Sequence, residues 1–139
     1  MSVLGEREME NFFISWQPRV LSILRIVTAF MFMQHGGQKL LGYPAPQRNE
    51  FDLFTLSGVA GVLELVGGFL ILIGLFTRPV AFILSGQMAV AYFIAHAPQG
   101  FWPLLNNGEL AALFSFIFLY LFVAGGGAWS LDNLLKRRA

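Results

Sequence analysis

The chain has 139 residues, of which 56% are hydrophobic and 12% charged, with 15 Phe, no Cys and a formal net charge of +1. A soluble domain carries about 25% charged residues and 45–50% apolar ones, so this composition points to a multi-pass membrane protein forming one bundle with no separate soluble domain. The near-neutral charge excludes a nucleic-acid partner, and the missing cysteine excludes disulfides, thiolate nucleophiles, iron–sulfur clusters, Cys-bound zinc and a CxxC-dependent quinone enzyme.

Residues 1–18 carry Glu6, Arg7, Glu8 and Glu10 beside Phe12, Phe13 and Trp16. An acidic start is unlike the positive n-region of a signal peptide, so the first membrane helix is expected to stay and to direct insertion. Aromatic side chains favour the headgroup zone, which makes this segment a short interfacial helix; the plainer alternative is a frayed terminus with an apolar anchor. Pro18 suits the first turn of a helix and marks the boundary to a membrane domain over residues 19–139. Four apolar stretches follow: Val20–Met33, Leu56–Phe76, Pro79–Ala95 and Leu110–Val123. A bilayer core about 30 Å thick takes about 20 residues as a helix. The middle two stretches fit directly, and the first and last fit with a little of their flanks. The expected fold is therefore an all-α, polytopic four-helix membrane bundle.

Between these stretches, Gly42-Tyr43-Pro44-Ala45-Pro46 breaks the first helix after Lys39. The loop from there to Phe54 carries Tyr43, Phe51 and Phe54 and is expected to fold back on the bundle mouth. Thr77-Arg78-Pro79 is a very short turn, which makes helices two and three antiparallel neighbours. Ala97–Gly108 forms the second long loop, with Asn106-Asn107-Gly108 turning into helix four. Gly125-Gly126-Gly127 ends that helix. Ser130 is then placed to cap a last short segment, Leu131–Arg138, with Asp132 supporting its start. With the N-terminus in the cytoplasm, Arg7, Arg19, Arg78 and the tail Lys136, Arg137 and Arg138 share the cytoplasmic side. Only Lys39 and Arg48 fall outside, so both termini are expected to be cytoplasmic.

Ionisable groups at membrane depth are costly and are functional candidates by default. Steps of three and four place Arg25, Thr28, Phe32, His35 and Lys39 on one stripe of helix one. Ser57, Gly61, Glu64 and Gly68 share a stripe of helix two, where small residues let another helix approach, so Glu64 should face the interior. A rise of about 1.5 Å per residue puts Glu64 roughly 21 Å above Arg78 and His35 roughly 24 Å above Arg19. His96 and Glu109 end on the same outer side, bordered by Gln38, Lys39, Tyr43 and Trp102. Arg25 is expected alone in the inner half, with Gln87 about level with it or slightly higher.

The residues leave two interpretations of the outer cluster open. One is a half-buried polar pocket for a flat apolar ligand with carbonyls, such as a quinone. Glu64 and His35 are then the candidate catalytic pair, and Lys39, Gln38, His96, Glu109 and Arg25 the candidate ligand-binding residues. The other is an internal pairing of Glu64 with Lys39 or His35 that only satisfies charge and locks packing. Axial haem ligation by His35 and His96, or a metal held by His and Glu, has no supporting local spacing. Arg25 is within snorkelling reach of the inner interface, and Glu109 suits a helix N-terminus without any function. The glycine-lined faces also support self-association into a homo-oligomer.

Several strings, in order, resemble the DoxX family of small bacterial membrane proteins. They are Arg25 with His35-Gly36-Gly37-Gln38-Lys39-Leu40, then Gly61-Val62-Leu63-Glu64-Leu65-Val66-Gly67-Gly68 leading to Gly74-Leu75-Phe76-Thr77-Arg78. His96 follows, then Gly108-Glu109-Leu110-Ala111-Ala112-Leu113, and last Gly125-Gly126-Gly127-Ala128-Trp129-Ser130-Leu131-Asp132. The resemblance covers about residues 20–132 and implies a four-helix bundle in the cytoplasmic membrane, associated with respiratory or oxidative-stress chemistry. It leaves two functions open. One is the membrane subunit of a quinone-linked oxidoreductase, needing a bound cofactor or a soluble or second membrane redox subunit. The other is a non-catalytic scaffold or assembly factor for redox partners. A small transporter is disfavoured, because four helices offer little room for alternating access.

Overall fold

The computed structural model describes residues 3–46 and 52–138, which are carried by five helices. α1 runs over Val3–Leu41. α2 covers Leu56–Ile73 and contains a wide π turn at Leu63–Gly67. α3 covers Thr77–Gln99 and finishes in a π turn and a 3₁₀ turn. α4 is Glu109–Ala124 and α5 is Leu131–Lys136. The first three are long and apolar enough to cross a bilayer. The 16 residues of α4 span about 24 Å, short of the roughly 30 Å core on their own.

Pro18 lies inside α1 and does not begin it. Its ring removes one N–H from the helix ladder, a cost that the surroundings must offset. Here the Pro18 carbonyl accepts from Ser22 Oγ at 3.0 Å and from the Ala128 N–H at 2.9 Å, which ties α1 to the loop after α4. On the N-terminal side, residues 6–20 are all exposed, so this half of the helix stands clear of the other helices.

Local chemistry sets the helix ends. Gly42, at φ 64°, stops α1 where the sequence predicts a break. Thr55 starts α2 by accepting the Gly58 N–H at 3.1 Å. Gly74, at φ 69°, ends α2 in the left-handed conformation that favours glycine. Ser130 caps α5 through the Asn133 N–H at 3.2 Å, as expected. Asp132 acts elsewhere: its two carboxylate oxygens accept the Phe76 and Thr77 N–H groups, each at 2.8 Å, capping α3 from a distant segment. Asp132→Ala should therefore lower stability by about 1–2 kcal/mol, with Asp132→Asn retaining part of it. Thermal unfolding in detergent micelles reads this; an unchanged midpoint would remove the cap from the account.

α1 packs along α2, α3 packs along α4, and the two pairs meet across Gly67 and Leu84. α2 and α3 are neighbours across their short turn, as expected, but the main partner of α3 is α4. At the centre, Phe32 sets its ring edge-on to Phe118 at 4.8 Å and to Phe114 at 5.2 Å. Outside, Phe69, Phe82, Phe93, Leu113 and Phe116 are half or more exposed. A surface this apolar suits hydrocarbon and not water.

Tyr43 and Phe54 are 74% and 98% exposed, so neither covers the bundle mouth as expected. Phe51 and Arg48 lie outside the described residues. Ser57 is exposed as well, and the buried line on α2 runs through Gly58, Gly61, Glu64, Gly67 and Gly68. Gly61, Gly67 and Gly68 meet side chains of the same chain (Lys39, Leu40, Leu84 and Met33 among them) and Gly58 meets the backbone of Asp52 and Leu53, so they are used within the bundle.

Candidate functional site

Glycine makes the first polar cluster. A Cβ at Gly36 would lie 2.5 Å from the Leu65 backbone nitrogen, so α1 and α2 touch backbone to backbone. Opposite Gly61, the Lys39 stem lies along α2. Lys39 Nζ reaches Glu64 Oε1 at 2.6 Å. Glu64 sits in the π turn of α2, with its side chain only 4% exposed against 31% for Lys39. π turns inside α-helices often mark functional positions. From α3, Gln87 Nε2 donates to the same Glu64 Oε1 and to the Ala60 carbonyl, each at 3.3 Å. Glu64 Oε2 and Gln87 Oε1 remain buried with no hydrogen-bond partner among the described residues. Such groups are rare in folded proteins because leaving a buried acceptor unmade is costly.

His35 lies on the same line of α1 within Coulombic range of Glu64, and its ring meets Phe114 edge-on at 6.1 Å. The remaining outer candidates sit apart. His96 Nδ1 is 3.0 Å from the Asn106 carbonyl oxygen and its ring stacks on Tyr92. Asn106 is fully buried and holds the loop through Gly100 O and the Gly108 N–H. His96, in the closing π turn of α3, therefore pairs with the loop between α3 and α4. Glu109 is exposed in the first turn of α4. Gln38 uses its backbone carbonyl for the Gly42 N–H at 3.2 Å, and its amide stays out of the cluster.

Gln87 is level with Glu64 and not with Arg25. Counting residues as continuous rise fails at the turn: Glu64 lies ten residues before Gly74 and Gln87 ten after Thr77, and the turn between adds no height.

Arg25 is neither alone nor snorkelling. It is 0% exposed. Its Nε donates to Gly126 O at 2.8 Å and one terminal nitrogen to Trp129 O at 2.7 Å, while the other terminal nitrogen bonds Ile71 O and Leu72 O. These are carbonyls at the C-terminal end of α2 and in the loop after α4. Ser22 joins it, accepting the Trp129 N–H at 3.0 Å. Around them the backbone packs tightly: a Cβ at Gly74 would lie 2.5 Å from Ser130 Cβ, and one at Gly127 would lie 2.4 Å from Ser22 Oγ. The glycine triplet is thus the floor of a lock, beyond its expected role of ending a helix. The signals for it were an arginine inside an apolar stretch and three consecutive glycines, neither of which names its partners.

Two open grooves of about 640 and 670 Å³ indent the surface. The first lies between the start of α3, the glycine triplet and α5; the second lies between Trp16, Leu24 and Tyr120. Neither touches Glu64.

Comparison with known proteins agrees with the apolar helices. The family model described as DoxX matches residues 20–97. An uncharacterized protein of Haemophilus influenzae is 47% identical over 123 residues, covering 85% of this chain and 92% of the relative. An uncharacterized membrane protein of Mycobacterium tuberculosis is 33% identical over 141 residues, covering 88% of this chain and 84% of the relative. The inner membrane protein YqjF of Escherichia coli is 30% identical over 125 residues, covering 84% and 92%. No solved structure matches.

Proposed function

The chain belongs to the DoxX family, and from that premise we propose that it is the inner-membrane subunit of a quinone-linked oxidoreductase system. The topology proposed with it has α4 as a fourth crossing and both termini in the cytoplasm, which gathers Arg7, Arg19, Arg78 and the basic tail on one side. Residues 3–18 of α1 then lie at the interface, with Phe12, Phe13 and Trp16 among lipid headgroups.

One observation carries the proposal: beside the Lys39 ammonium, Glu64 Oε2 and Gln87 Oε1 are two buried acceptors with no donor among the described residues. A hydroquinone brings two hydroxyl donors. Its oxidation to a quinone releases two protons and two electrons. Glu64 is placed to take a proton from one hydroxyl, and Lys39 to donate to the carbonyl oxygen that results. His35, next along the same stripe, is the second proton carrier. The electrons pass to an acceptor on a partner subunit or a bound cofactor.

A short-chain hydroquinone titrated into the detergent-solubilised protein should bind. Glu64→Gln should weaken that binding about tenfold or more, since hydrogen bonds to charged groups contribute about 1.5–3 kcal/mol. Equal affinity in the two proteins would refute the role given to Glu64.

A second reading is a non-catalytic scaffold for redox partners, with Glu64 and Lys39 serving packing. The 2.6 Å ion pair and the placement of both grooves away from it favour this reading. It requires a stable partner in a pulldown from membranes, whether a soluble or a second membrane subunit, and no hydroquinone binding.

A further inference from the structure

We infer that the groove between the start of α3, the glycine triplet and α5 is a binding site for one anionic phospholipid. Its polar wall carries Arg78, Lys136 and Arg137 against one carboxylate, Asp132. That carboxylate is already engaged by the Phe76 and Thr77 N–H groups, so its capacity to repel an anion is reduced. The lining also includes the apolar side chains of Leu21, Phe76, Pro79 and Leu135. A volume of about 640 Å³ is within the range of small-molecule sites. Cations and apolar side chains lining one recess match a molecule with a phosphate head and an acyl root. Free phosphate would use only half of the groove.

A third feature is independent of the charges. Thr77 lines the groove, is 0% exposed and leaves its Oγ1 without a partner among the described residues. A hydroxyl can donate as well as accept, so it complements a phosphate or ester oxygen in a way that a carboxylate could not. Arg78 donates through one terminal nitrogen to the Phe122 and Val123 carbonyls at 3.1 and 2.6 Å, which fixes the guanidinium at the groove wall while its other nitrogens stay available. A basic recess between membrane helices is a physically reasonable headgroup site. It does not involve Glu64, so this inference stands apart from the proposed redox role.

The test uses the full chain in nanodiscs and native mass spectrometry. Phosphatidylglycerol should be retained on the protein where phosphatidylcholine is lost. Lys136→Gln with Arg137→Gln, both exposed and outside every cap described above, should lower that retention roughly thirtyfold, at about fivefold for each charge near a membrane surface. Thr77→Val should lower it with no loss of thermal stability, because the hydroxyl it removes has no partner among the described residues. Equal retention of the two lipids, or full retention by both variants, would overturn the proposal. Displacement of the lipid by millimolar inorganic phosphate alone would reassign the groove to a free anion.

Discussion

Arg25→Leu is expected to lower stability by about 4 kcal/mol or more, among the largest effects of any single change in this chain. Replacing a buried ion pair by apolar residues is often harmless, because both partners leave together. Here the partners are the backbone carbonyls of Ile71, Leu72, Gly126 and Trp129, and no substitution at residue 25 removes them. Those of Ile71 and Gly126 would stay buried without the arginine donor, and the part-buried ones of Leu72 and Trp129 would lose theirs. Arg25→Lys should recover only part of the loss, since an ammonium is compact and cannot span four acceptors as a planar guanidinium does. Thermal unfolding in detergent, followed by helical circular dichroism, gives the ranking wild type, then Lys, then Leu. An Arg25→Leu protein that melts with the wild type would mean that the lock is incidental.

Gly36→Ala should be nearly as damaging, at about 2–3 kcal/mol. The added methyl would lie 2.5 Å from Leu65 N and 2.9 Å from Gly61 O, both backbone atoms that cannot swing aside. α1 and α2 would have to separate, drawing Lys39 away from Glu64 as they did so. Gly86→Ala is the internal control, because a Cβ there meets nothing within 4 Å. Helix propensity alone should make that change neutral or stabilising by about 0.5–1 kcal/mol. Equal behaviour of the two variants in an unfolding titration would contradict the close approach of α1 and α2.

The membrane class, the long apolar helices and the inward face of Glu64 are legible in the sequence because they follow from period and composition. A stripe at steps of three and four needs only the geometry of one helix, so Arg25, Phe32, His35 and Lys39 fall into line from residue spacing alone. Relations between segments are not legible in the same way. Pro18 suggests a break through the residue's usual place in a first turn, but its carbonyl is taken up by Ala128, more than a hundred residues later. Asp132 is positioned in the chain to serve its own short helix and instead caps α3. Glu64 is placed too high when a turn is counted as helical rise, which separates it from Gln87. His96 and Glu109 lie toward one end of the bundle, but His96 comes nine residues after Gln87, which is level with Glu64, so height separates it from the cluster. The partner of Lys39, by contrast, is among the pairs expected, since Lys39 is the cation one helix away at the depth of Glu64.

The most direct test of the central claim is organic extraction and mass spectrometry of the gently purified protein beside its Glu64→Gln variant. The account predicts a quinone or hydroquinone that co-purifies with the wild type and is depleted about tenfold or more in the variant. A protein that carries no such ligand, with an intact-complex mass showing a stable partner, would contradict it and make the Glu64–Lys39–Gln87 cluster a packing element of a scaffold.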